Sequence, residues 1–316
     1  MTLTPATAPS APGGALLAEV ERLMAAEPLD AAYLEGLCLE LDGRIVRGDA
    51  MIGILPVEAY DVLVRGYTAA AFAGRSTAWV PLGRRLLDPR VGWTPTWPSP
   101  HPFPVGGTEQ LDSALRCFAE AARHGDRQGA YLFAALGREA VDRVGPHALT
   151  LLEPLRADDP TGEANYWSGI VHYLRGDGGA AVAHHRRAAA AGNADAMFEL
   201  HVLYGTGDVV PPDEEAAREW LLRAADRDHP RALYNVAAAH ASGRGFPRDE
   251  AAAAGWYERA AAAGNARAAA TLGVMYLLGS GVPTDAGRAA GWFDRAEEQG
   301  YDVDGWLEQL GMSRPS

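Results

Sequence analysis

Lysine is missing altogether: all 28 basic side chains among the 316 residues are arginine. Without a side-chain amine there is no residue to form a Schiff base and no lysine for a phosphate-binding P-loop. Cysteine is nearly as scarce. Cys38 and Cys117 have no short spacing between them. They cannot build a disulfide framework or a Cys-ligated zinc site, which points to a reducing compartment. No stretch reaches about 18 apolar residues without a charge or a turn breaker, so none reads as membrane-spanning. Positive charge is in deficit too. A formal net charge of −13 and a pI near 5.1 argue against a nucleic-acid backbone as the main partner. Strand signals are also lacking, and the default expectation is a cytoplasmic, non-membrane protein.

What is present is self-similarity. Residues Ala268, Leu272-Gly273, Tyr276, Gly279-Ser280-Gly281-Val282-Pro283, Asp285, Trp292, Ala296 and Gly300 form a skeleton that returns 36 positions earlier. There it reads Ala232, Val236-Ala237, His240, Gly243-Arg244-Gly245-Phe246-Pro247, Asp249, Trp256, Ala260 and Gly264. Another 36 back it reads Ala196, Leu200-His201, Tyr204, Gly207, Trp220 and Ala224. A fixed period in this range means a repeat array. Its unit is a helical hairpin: apolar residues at helical spacing, a Gly-rich turn, and a second helix carrying Ala289, Trp292, Phe293 and Ala296.

The words Leu-Gly-x-x-Tyr, Gly-x-Gly-Val-Pro-x-Asp and Trp-x-x-x-Ala resemble the Sel1-like repeat, a relative of the tetratricopeptide repeat. Residues 268–296 match the pattern nearly throughout; 232–260 carry His240 in the Tyr place. Residues 196–224 carry His201 in the Gly place and Val209 where the second turn Gly belongs. The resemblance implies an all-α fold, a right-handed α-solenoid of stacked antiparallel helical hairpins, in a family whose members serve as interaction scaffolds.

In chain order, residues 1–14 read as a disordered Thr/Pro/Ala-rich leader and not as a signal peptide. Residues 15–77 give three helices of degenerate repeats, over 15–26, 31–41 and 56–73. The array proper is expected over 78–300. Its first unit pairs Ala78-x-x-x-Leu82-Gly83 with a helix over 110–124. Ala78 and Cys117 sit 39 apart where later repeats have 24, an insertion of 15 residues. That Pro/Trp-rich insertion, about residues 90–108, favours extended polyproline II. Its Trp93, Trp97 and Phe103 suggest a docking loop or a cover packed on the array, the alternative being a disordered insertion, which is usually poorer in aromatics. Further hairpins fall over 129–156 and 164–189, and residues 301–316 hold a capping helix, Gly305 to Met312, and a tail. The count is roughly seven hairpins.

Site candidates are weighed against packing. Trp220, Trp256 and Trp292, at a fixed repeat position, read as core between hairpins. The paired turn glycines lack the strand a phosphate cradle needs. His172, His184, His185 and His201 cluster in two hairpins, but no acidic or thiol partner shares a helical spacing with them, so no metal is assigned. Asp158-Asp159 and Asp213-Glu214-Glu215 sit at helix starts, where carboxylates suit the helix dipole. No catalytic residue and no cofactor is expected.

Two residues after the small residue opening each first helix stands a column of rings: Tyr131, Tyr166, Phe198, Tyr234, then Ala270. In the register of tetratricopeptide superhelices this offset faces the concave groove. The column before the small residue reads Gln128, Glu163, Asp195, Arg231, Arg267 and turns basic toward the C-terminus. A peptide in the groove would meet aromatic anchors throughout, with Arg231 and Arg267 pairing its carboxylates. The alternative is that the rings are partly buried against the next hairpin. The functional expectation is a non-enzymatic scaffold or adaptor binding a protein or peptide partner. Its rivals are an immunity-type regulator neutralising one partner and an enzyme with a polar pocket under the insertion.

Overall fold

A computed structural model of the chain describes residues 12–46, 57–89, 91, 94–95 and 109–314. All regular structure among the described residues is helical, and within each of its two units consecutive helices pack on one another in chain order, the all-α hairpin arrangement that was expected. The backbone divides into two compact units, residues 1–158 and 159–316.

The first unit holds α1 (Pro12–Met24), α2 (Ala31–Val46), α3 (Val57–Phe72), α4 (Trp79–Leu86), α5 (Glu109–Arg123), α6 (Arg127–Leu136) and α7 (Val141–Leu152). Val20 and Leu23 of α1 are buried with Leu34, Cys38 and Leu41 of α2 and Leu63 and Tyr67 of α3. The buried Tyr67 hydroxyl donates to Asp42 Oδ2 at 3.3 Å, and Arg85 pairs with both Asp42 and Asp88. Cys38 and Cys117 are free and buried, far from disulfide chemistry. Burial pushes the Cys38 thiol up to about 12, with Asp42 and Glu35 adding to the shift. Trp93, Trp97 and Phe103 lie outside the described residues.

The second unit holds α8 (Glu163–Leu174), α9 (Gly178–Ala190), α10 (Ala194–Thr206), α11 (Glu214–Ala225), α12 (Pro230–Ser242), α13 (Glu250–Ala262), α14 (Ala266–Leu278), α15 (Ala286–Glu298) and α16 (Val303–Gln309). The capping helix α16 starts two residues earlier than expected, because the Asp302 carboxylate accepts from the Gly305 amide. The first helices α10, α12 and α14 end on a left-handed glycine, Gly207, Gly243 and Gly279. Across each turn one backbone bond recurs: the Asp213, Asp249 and Asp285 amides donate to the Tyr204, His240 and Tyr276 carbonyls at 2.9, 2.9 and 3.0 Å. The same aspartates then cap the second helices through their side chains.

Three hairpins close on a notch. A Cβ built on Gly273 of α14 would lie 2.3 Å from the Phe293 ring of α15, and one on Gly83 of α4 would lie 2.6 Å from Phe118 of α5. One on Gly169 of α8 would lie 2.6 Å from the His185 ring of α9. A residue with no side chain thus admits a ring from the partner helix. Phe118, His185 and Phe293 are each no more than 1% exposed, and Tyr257 and Leu221 fill the same place in their hairpins.

This corrects the reading of the tryptophans. The core ring stands one residue after the Trp position, while Trp220, Trp256 and Trp292 are only half-buried against the core. Each carries on its face the guanidinium of an arginine three residues on. The Arg223, Arg259 and Arg295 carbons lie 4.6, 4.6 and 5.5 Å from the ring centres. One helical turn brings such a pair together on the surface.

Gly273→Ala is therefore expected to lower stability by about 1–3 kcal/mol in urea denaturation, since overpacking must displace the Phe293 ring. Gly255→Ala in α13, where an added Cβ meets open space, is expected to raise stability by about 0.5–1 kcal/mol. Equal effects at the two glycines would show that the notch is not tight.

Candidate functional site

In the second unit α10, α12 and α14 open with their N-caps in register. The Asn193 side-chain oxygen accepts from the Ala196 amide at 2.9 Å, and that of Asn265 from Ala268 at 3.0 Å. Each asparagine also donates its Nδ2 to a carbonyl of the preceding repeat, Thr161 at 3.3 Å and Pro230 at 3.1 Å. His229 does both jobs with an imidazole. Its Nδ1 accepts from the Ala232 amide at 3.1 Å, and its Nε2 sits 3.2 Å from Asp195 Oδ1. A nitrogen that accepts carries no proton, so the ring here is the Nε2–H tautomer donating to Asp195. That bond is the first cause holding the Asp195 carboxyl below its usual range; Glu199, one turn on, is pushed up by burial.

The ring column lies beside these caps, and its members differ in access. Tyr131, in the first unit, is 9% exposed and Phe198 is 3% exposed, whereas Tyr166 and Tyr234 are half-buried. Phe198 stacks on the His229 imidazole, centroids 4.6 Å apart, and Tyr234 meets Tyr257 edge-on at 5.4 Å. Tyr166 lies 5.1 Å from Trp167 and 5.9 Å from His185. Arg231 and Arg267 are exposed. Each lies over the ring of the preceding repeat, Arg231 at 4.5 Å from the centre of Phe198 and Arg267 at 5.4 Å from that of Tyr234. The structure thus joins the two expected columns into ring–guanidinium pairs spanning adjacent repeats.

The histidines are placed differently. His172 and His184 stack with centroids 5.3 Å apart. His172 Nδ1 lies 3.4 Å from Asp177, and His184 Nδ1 lies 3.0 Å from Asn165 Oδ1. His185 faces inward at the notch, its Nδ1 without a hydrogen-bond partner among the described residues. Burial, with His184 alongside, lowers its pKa to about 4. Among the described residues no group of three His, Cys, Asp or Glu is arranged to hold a metal, and no helix is long and apolar enough to cross a membrane. The acids at the helix starts act as caps: Asp159 accepts from the Ala164 and Asn165 amides, and Asp213 from those of Glu215 and Ala216.

An open pocket of about 500 Å³ lies between α10, α11, α12 and the turn at 244–246. His201, Leu221, Asn235, Ala238, Ala239 and Phe246 line it, with Arg218 and Arg244 at its mouth. His201 Nδ1 donates to the Ala217 carbonyl at 2.9 Å, and burial lowers its pKa. Sequence reasoning missed this site. The signal was there: at the two positions that are Ile170-Val171, Val202-Leu203 and Val274-Met275 in the other first helices, α12 carries Ala238-Ala239.

With this geometry in place, the comparisons with known proteins are decisive for the family. A family model described as the Sel1 repeat matches residues 106–126, 162–193, 194–229, 230–265 and 266–301, just over half of the chain. The chain belongs to the Sel1 repeat family. The Sel1 boundaries at 194, 230 and 266 fall at the first residues of α10, α12 and α14, immediately after the capping residues. No curated protein matches the chain.

Solved structures similar to it include a protective antigen of uropathogenic Escherichia coli with an SLR fold. That match is 24% identical and covers 80% of this chain and 53% of that one, TM-score 0.48. A Sel1 repeat protein from Oxalobacter formigenes is 35% identical over 40% of this chain and 97% of its own, TM-score 0.39. An immunity protein from Pseudomonas aeruginosa is 16% identical over 94% and 85%, TM-score 0.33. The chain spans about half the length of the first of these.

His185 generates a pH prediction. Its folded pKa of about 4 lies below the ordinary value, so the unfolded chain takes up a proton that the folded repeat refuses. Stability is expected to fall as pH drops from about 6.5 towards 4, by up to about 3 kcal/mol, and this contribution levels off below. His185→Phe, which installs the residue found at Phe118 and Phe293, is expected to remove that part of the fall. Unfolding in denaturant at pH 7, 5.5 and 4 for both proteins provides the check; parallel pH curves would refute it.

Proposed function

We propose that the protein is a non-enzymatic interaction scaffold. Its second unit would take up a peptide or protein partner on the face formed by the openings of α8, α10, α12 and α14. What supports the reading most is the state of Arg231 and Arg267. In a chain of net charge −13, both are exposed, held over a ring, and have no carboxylate within salt-bridge distance among the described residues. A guanidinium lying on a ring keeps its in-plane N–H donors for an incoming carboxylate and loses little freedom on binding. The half-buried Tyr166 and Tyr234 supply ring area beside them.

Within this reading Tyr131 and Phe198 work differently from an exposed anchor. At 9% and 3% exposure they offer a partner almost no surface. Phe198 instead fixes Arg231 and His229 in place. The partner segment is acidic with interspersed apolar residues, and its capture weakens with salt.

Arg231→Glu combined with Arg267→Glu is expected to reduce partner capture about tenfold or more and to leave the thermal midpoint close to that of the parent, both side chains being exposed. The measurement is quantitative affinity capture of native partners by parent and variant at low and high salt. Phe198→Ala, by contrast, is expected to cost about 3–5 kcal/mol of stability. Identical capture by the charge-reversed variant would overturn the assignment of this face.

A further inference from the structure

The pocket between α10, α11 and α12 arises from two departures in one repeat. The first is the loss of side-chain volume at Ala238 and Ala239. The second concerns the turn. In the neighbouring repeats the turn presses on the start of the preceding second helix. A Cβ on Gly281 would lie 2.2 Å from the Glu250 carbonyl oxygen, and the Val209 carbonyl oxygen lies 2.1 Å from where a Cβ on Gly178 would be. At the corresponding Gly245 a Cβ would meet nothing within 4 Å. The turn there stands off from α11, and the space beneath it is the pocket.

The mouth of this space carries two arginines. Arg218 and Arg244 have no carboxylate within salt-bridge distance and lie on no ring among the described residues. Other arginines of the unit, such as Arg223, Arg248, Arg259 and Arg314, are paired. Glu214 stands at the same mouth, leaving it a net single positive charge. Inside, Leu221, the two alanines and Phe246 make the walls mostly apolar, with Asn235 and Ser242 as polar members. His201 has its Nδ1 committed to Ala217, so Nε2 remains as its acceptor.

We propose that this pocket binds a small organic monoanion, a carboxylate carried on an apolar body. The head group pairs with Arg218 and Arg244, and the body fills the space left by Ala238 and Ala239. The volume suits a ligand of small-molecule size, and the apolar part of the walls rewards a ligand that carries an apolar body, which an inorganic anion lacks. The site is independent of the partner-binding face, and its test uses no partner.

The test is titration calorimetry with the full chain against hexanoate and phenylacetate, their neutral amides, and inorganic phosphate. Saturable binding of the carboxylates is expected, with a raised thermal midpoint, and no uptake of phosphate or the amides. Arg218→Gln and Arg244→Gln, at exposed positions, are each expected to weaken binding about tenfold. Ala238→Val with Ala239→Met, the pair that α14 carries, is expected to abolish it without lowering the midpoint. Amides binding as well as the acids, phosphate displacing the acids, or undiminished binding to the refilled variant would each overturn the proposal. So would a pocket that ignores every free probe yet is required for partner capture, since it would then belong to the partner-binding face.

Discussion

The close approach of the two helices in each hairpin is the constraint that the rest of this structure follows from, and in three hairpins one helix gives up a side chain to reach it. Gly83, Gly169 and Gly273 each leave a notch, and the partner helix fills it with Phe118, His185 or Phe293. The ring locks the rotation of the second helix relative to the first, because only one of its faces can present a group to the notch. In α15 that rotation leaves Trp292, the residue just before the ring, at the margin with Arg295 on its face, and Trp220 and Trp256 take the same place in their hairpins. In the notched hairpins core and margin are therefore fixed together by a single close contact.

Much of this was legible in the sequence, and the shortfalls have physical reasons. The 36-residue period gave the hairpins and their turns, because Gly, Pro and Asp at fixed offsets each have a local conformational cause. Rotation about the helix axis was harder. Trp292 and Phe293 are neighbours in sequence, and periodicity alone does not say which of two adjacent large rings faces inward. Gly273 held the answer, since an invading ring must come from directly opposite. The ring column had the same ambiguity: Phe198 and Tyr234 occupy the same offset, yet the His229 stack buries the first while the second keeps an open edge. The pocket escaped notice for another reason. It is made by two alanines, and in a chain rich in alanine a missing side chain stands out only when the repeats are laid over one another.

The absence of lysine also acquires structural meaning. Arginine stacks on rings across the whole second unit, on Trp220, Trp256 and Trp292 within helices and on Phe198 and Tyr234 between repeats. A planar guanidinium can lie flat on a ring while its edge donates hydrogen bonds, which a compact ammonium cannot do. Arg259 shows the combination: it covers Trp256 and also bonds Asp228 at 2.8 Å in the repeat before.

The capping asparagines give the stack a polarity. Each one holds its own helix with an oxygen while its nitrogen leans on the backbone of the repeat before it. The later helix start is thus oriented by the earlier repeat, and the earlier repeat is covered in return, since Arg231 and Arg267 lie over the rings of Phe198 and Tyr234 in the repeat before. Dependence between neighbours is therefore mutual, and trimming the unit from either end uncovers a face that the lost repeat had kept dry.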